Sequence, residues 1–96
     1  MSWFSKLFAK KIDVQAVAVA AIAAVRSGHT AKILYHLEIA RAAIVERMPL
    51  DRVKDKNRVR ELNEKISTRT KRLLEMGLDV SGMGVKSLDA IISRLK

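Results

Sequence analysis

Residues 12–25, IDVQAVAVAAIAAV, decide the fold, because every other segment must either pack on this stretch or leave it for a membrane. After Asp13 and Gln15 it carries no polar side chain until Arg26. At 100° per residue, Ile12, Val14, Ala18, Val19, Ala21, Ile22 and Val25 fall on one half of a helical wheel, and Ala16, Ala20, Ala23 and Ala24 on the other. Ala is the strongest helix former, so backbone preference and pattern agree on a helix. The alanine half has little bulk and lets another backbone come close. A helix that is apolar on both sides is expected to be buried.

Length and composition set the outer limits. Ninety-six residues suit a single domain, 1–96, with a modest core. The chain has no cysteine, which excludes disulfides and thiolate metal sites. Few aromatics and one proline favour helices over a β-sandwich. The formal charge of +9 predicts attraction to polyanions: nucleic acid first, then anionic lipid or an acidic protein. The surplus is concentrated in residues 1–26, with four basic residues against one acidic, and in residues 51–76, with nine against five.

Lysines followed by an apolar run resemble a signal peptide. Asp13 and Gln15 interrupt the apolar part, however, and Trp3, Phe4, Leu7 and Phe8 occupy the charged part, so no cleavable signal is expected. A spanning helix needs ~20 apolar residues, more than this alanine-rich run supplies. The expected location is cytoplasmic or virion-associated, with peripheral membrane association as an option. In residues 1–11, Trp3, Phe4, Leu7 and Phe8 share one face with Ile12, while Ser5, Lys6 and Lys10 lie opposite and Lys11 intrudes on the apolar side. A basic helix with aromatics on its other face is the pattern of an interfacial anchor. The same residues also run in phase with Val14, Ala18 and Val25, as a plain continuation of the core stripe would. This end is therefore read as a docking site for lipid or a neighbouring subunit, or as an extension of the core.

Ser27, Gly28, His29 and Thr30 break the first helix. From Ala31 to about Met48, Ile33, Leu37, Ala40, Ile44 and Met48 form a core stripe, with Glu38, Arg41 and Glu46 outside. His29 and His36 have no neighbours that complete a metal site, so they read as a loop histidine and a surface or partly buried one, and Tyr35 as packing. Pro49 separates this helix from the next, for which Asp51 is available as a cap.

Residues 51–76 make the longest helical pattern. Val59, Leu62, Ile66, Leu73 and Met76 fit a 3–4 repeat, with Arg69 on one seam position. Beside the seam Arg58, Lys65 and Arg72 recur every seven residues, and Lys54 and Arg69 widen the stripe. Such a stripe can track phosphates, with Ser67, Thr68 and Thr70 as added hydroxyl donors. It also suits a solvated face with intrahelical ion pairs. If it is the binding site, reversing Arg58, Lys65 and Arg72 to Glu should abolish binding.

Gly77 ends this helix. The closing segment 82–92, GMGVKSLDAII, has a Gly-hydrophobic-Gly turn, a Lys two residues after the second Gly, and a helix with apolar spacing. It resembles the helix-hairpin-helix DNA-binding hairpin, in which turn N–H groups and a helix start hold a DNA phosphate without reading sequence. The resemblance implies phosphate-binding roles for Gly82, Met83, Gly84 and Lys86, with Ser87 nearby. Val80 matches the apolar position two before the first Gly, Gly77 departs from the one five before, and no second hairpin is present. The plain alternative is a glycine loop and a Ser87-capped helix that packs Leu88, Ile91, Ile92 and Leu95.

No arrangement of nucleophile, base or ligand supports catalysis, so no catalytic residue, metal or cofactor is assigned. The expectation is an all-α bundle of about four helices, near 3–26, 30–48, 51–76 and 85–95, with a long basic third helix and self-association. Short connections at 27–29 and 49–50 favour antiparallel neighbours. The function expected is non-enzymatic, sequence-independent binding of nucleic-acid phosphates through residues 51–76 and the turn at 82–87. The alternatives are a structural subunit, of a virus particle or membrane complex, docking through residues 3–8, and a small adaptor or inhibitor of an acidic protein.

Overall fold

A computed structural model describes residues 14–96, and the readings made above for Trp3, Phe4, Leu7, Phe8 and the rest of 1–13 lie outside them. The described residues form an all-α bundle: α1 Val14–Ser27, α2 Thr30–Arg47, α3 Lys56–Glu75 and α4 Val85–Leu95. The helix count and type agree with the sequence pattern.

Helix α2 is the hub and touches each of the other three, whereas among the helices α3 packs on α2 alone. Side-chain pairs give the directions. Glu46 meets Arg58, Arg47 meets Asn63 and His36 meets Arg69, so α3 runs antiparallel to α2. Arg41 pairs with Asp89 and Glu38 with Lys96, so α4 is also antiparallel to α2. The short 27–29 connection does not make α1 and α2 close partners; α1 packs chiefly on α4.

The main core gathers Val17, Ala20 and Ala24 of α1, Ile33 and Leu37 of α2, Leu73 of α3, Leu78 and Val80 of the following connection, and Leu88, Ile91 and Ile92 of α4. Buried Ala40, Ala43 and Leu62 lie outside that cluster, on α2 and α3. The alanine side of α1 is thus the buried one, as its small bulk suggested. The expectation that both sides are buried fails: Val14, Val19, Ile22 and Val25 are 65%, 61%, 53% and 64% exposed. Among the described residues α1 has α4 on one side and little on the other. Large residues of α4 fill the space that the alanines leave, and no described residue covers Val14, Val19, Ile22 and Val25.

The ends of α3 follow local chemistry. Its regular part starts at Lys56, five residues later than the pattern suggested, because residues 51–55 form a separate turn; the cap is Asp55, without a side-chain hydrogen bond, and not Asp51 as expected. Asp51 Oδ1 accepts from the N–H groups of Val53 (2.7 Å) and Lys54 (3.0 Å), and Asp55 Oδ2 accepts from Asp51 N–H (3.0 Å). These hydrogen bonds, led by the one from Lys54, hold the Asp51 carboxyl below its ordinary pKa. At the other end Gly77 takes φ +89°. Its N–H bonds Leu74 O and that of Leu78 bonds Leu73 O, both at 2.9 Å, the paired pattern of a Schellman terminus. Leu73 and Leu78, fully buried, provide the apolar contact that accompanies this motif.

Candidate nucleic-acid interface

The regularly spaced cations of α3 are not equivalent once folded. Arg58 bonds Glu46 of α2 and, at 3.0 Å, Glu61 of its own helix. These two carboxylates raise its already high pKa, the Glu46 bond most. Arg72 lies 3.5 Å from Glu75. Arg69 turns inward: its guanidinium carbon is 5.5 Å from the Tyr35 ring centre and Nη1 is 3.1 Å from His36 Nδ1. Its buried Nε has no hydrogen-bond partner. Lys65 and Lys54 are exposed and enter no ion pair among the described residues. The seven-residue stripe is therefore largely neutralised or packed, with Lys65 and Lys54 left open.

A second group of cations, which spacing alone did not single out, lines one place. Where α2 runs into α3, Arg47, Arg52, Lys56 and Arg60 border a cleft of about 720 Å³ that also presents Asn63. Met48, Leu50 and Val59 supply its apolar surface, which explains why Met48, expected in the core stripe, is 71% exposed. Met48 is the residue that follows the last of α2. Asn63 Oδ1 accepts a 2.7 Å bond from Arg47 Nη1 and so orients that guanidinium. Arg52, Lys56 and Arg60 are exposed and make no ion pair among the described residues. Among the described residues no carboxylate lines the cleft. The nearby acidic side chains, Asp51 and Asp55, direct oxygens to backbone N–H groups.

This arrangement needed information that a single helix does not contain. Lys56, Arg60 and Asn63 share a face of α3 at i, i+4 and i+7, which the sequence could have shown. Arg47 and Arg52 join them only because the chain reverses between α2 and α3.

The glycine turn lies elsewhere. Met83 N–H bonds Val80 O at 3.1 Å with Gly82 at φ +78°, a tight turn that needs glycine at that position. Gly84 caps α4 without a side-chain hydrogen bond, and Lys86 in the first turn is exposed. Residues 76–84 before α4 are irregular chain, so no helix runs directly into this turn.

The fold also shifts the titration of His36. Burial first, then the charges of Arg69, Arg72 and Lys32, hold its pKa below the ordinary imidazole value. Neutral His36 accepts from Arg69 through Nδ1, whereas imidazolium would present a like charge to it. Between the lowered folded value and about 6.5, the unfolded chain binds more protons than the folded one. Stability should therefore fall as pH drops through about 6.5, and stop falling from this cause below the folded pKa. Thermal melts of the wild type and His36→Gln from pH 7.5 to 5 check this; the variant should lose less on acidification.

Comparison with protein-family models, with characterised proteins and with solved structures finds no match to this chain.

Proposed function

We propose that this protein binds the phosphate backbone of nucleic acids without reading base sequence, using the cleft between α2 and α3 as its grip. The observation that carries this reading is the convergence of Arg47, Arg52, Lys56 and Arg60 on a surface with no lining carboxylate. Unpaired cations on an exposed surface release condensed counterions when they meet phosphates, which supplies sequence-independent affinity. Arginine adds forked donors suited to phosphate oxygens. Exposed Lys54 adds to the positive surface from the same connection, whereas Lys65 lies on the opposite flank of α3 from Lys56 and Arg60, with Arg58 and Arg72. The turn at 82–86 is a secondary contact in this reading, with Lys86 and the uncapped start of α4 facing an anion.

Fluorescence anisotropy with two duplexes of unrelated sequence tests the proposal. Both should bind with the same affinity, and log K should fall linearly with log salt at a slope of about −4 for four phosphate contacts. Affinity that is indifferent to salt, strong preference for one duplex, or no binding at low salt would each refute it.

A further inference from the structure

The exposed face of α1 points to a second surface, independent of the cleft. Val14, Val19, Ile22 and Val25 stand more than half exposed along one side of a helix whose small residues are inside. We propose that this face docks on an anionic lipid bilayer, with α1 lying in the plane of the interface.

Three observations select that occupant. First, no helix among the described residues is long and apolar enough to cross a membrane, while α1 has one apolar side open and the other packed, as a helix lying on a bilayer requires. Second, residues 14–27 contain no acidic side chain, and residues 1–26 carry Lys6, Lys10, Lys11 and Arg26 against Asp13 alone. That charge complements an anionic headgroup layer. A second copy of the chain would bring the same positive surplus to the contact, which disfavours it. Third, the preceding sequence carries a similar pattern: on one wheel Phe4, Leu7 and Phe8 share the side of Ile22 and Val25, with Lys11 among them and Lys6 and Lys10 opposite.

The test uses the full chain with vesicles of pure phosphatidylcholine and vesicles containing phosphatidylglycerol. Co-sedimentation and the emission of Trp3, the only tryptophan, are the readouts. Binding should be at least about tenfold tighter to the anionic vesicles, given the attraction per basic residue at such a surface, and accompanied by a blue shift. Replacing Ile22→Gln together with Val25→Gln adds no charge at exposed positions. It should reduce vesicle binding by about tenfold or more through lost apolar burial, with the circular-dichroism melt and duplex binding unchanged. Equal vesicle binding by this variant would overturn the proposal. So would loss of vesicle binding only on changing Arg52, Lys56 and Arg60, because lipid would then be held by the cleft. A wild-type dimer in lipid-free sedimentation that the Gln variant dissolves would also overturn it, by making a second copy the occupant.

Discussion

The triple change Arg52→Ala, Lys56→Ala and Arg60→Ala should flatten the salt dependence of duplex binding by about 2.7 in log–log slope, from 0.9 for each lost contact. At low salt the affinity should fall by more than about tenfold, whatever the duplex sequence. These side chains are exposed and enter no ion pair among the described residues, so truncating them leaves the fold intact. Surface changes of that kind typically shift stability by no more than about 0.5 kcal/mol each. The evenly spaced set, Arg58, Lys65 and Arg72, makes a poorer experiment. A carboxylate at position 58 would face Glu46 and Glu61, which now hold Arg58, and one at 72 would face Glu75. Lost binding in that reversal would mix repulsion inside the protein with loss of phosphate contact. Lys65→Ala introduces no such repulsion, and should leave the slope unchanged, because position 65 lies on the opposite flank of α3 from Lys56 and Arg60.

The second large effect concerns α1. Ala24 is completely buried, so Ala24→Leu forces four-carbon bulk into the packed contact around Val17, Leu88 and Ile91. Overpacking of this type costs about 1–3 kcal/mol. For a chain of this length that is a loss of roughly 5–20 °C in melting temperature. Val25→Ala at the next position removes more apolar surface from the sequence yet should change the melt by little, because Val25 is 64% exposed and Ala favours the helix. The usual order, in which trimming a large residue hurts and enlarging a small one is tolerated, is inverted on this helix. Thermal melts of the two variants, compared directly, check it.

Those neighbouring residues show what the sequence could and could not reveal. α2 and α4 were legible almost to the residue, because Ile33, Leu37 and Ala40, and Leu88, Ile91 and Ile92, each mark one apolar face against polar surroundings. α1 was legible as a helix but not as an orientation. Both of its sides are apolar, and hydropathy favours the Val and Ile side for the interior. Close approach to α4 decides otherwise, and that is a property of two helices. The start of α3 was expected at Asp51, but the side-chain bonds of Asp51 to Val53 and Lys54 close a separate turn, and Asp55 is the residue before the regular helix begins at Lys56.

The binding surface divides the same way. Periodicity picked out Arg58, Lys65 and Arg72, and the i, i+3 carboxylates at Glu61 and Glu75 already hinted at neutralisation. Glu46 comes from another helix and could not be foreseen. Arg69 was correctly placed on the seam, where it packs on Tyr35 and His36 and is removed from the outer surface. The cleft escaped notice because Arg47 and Arg52 are separated from Arg60 by the chain reversal, and only tertiary structure gathers them.

The most direct measurement is a backbone and side-chain NMR titration of isotope-labelled protein with a short duplex at low salt. The predicted result is that the largest shift changes fall on Arg47, Arg52, Lys56, Arg60 and Asn63, including the Arg47 guanidinium, with smaller changes at Lys54 and Lys86 and none on the exposed face of α1. Changes concentrated on Val14, Val19, Ile22 and Val25, or confined to residues 82–86 with the cleft silent, would contradict the assignment of the cleft as the phosphate-binding surface.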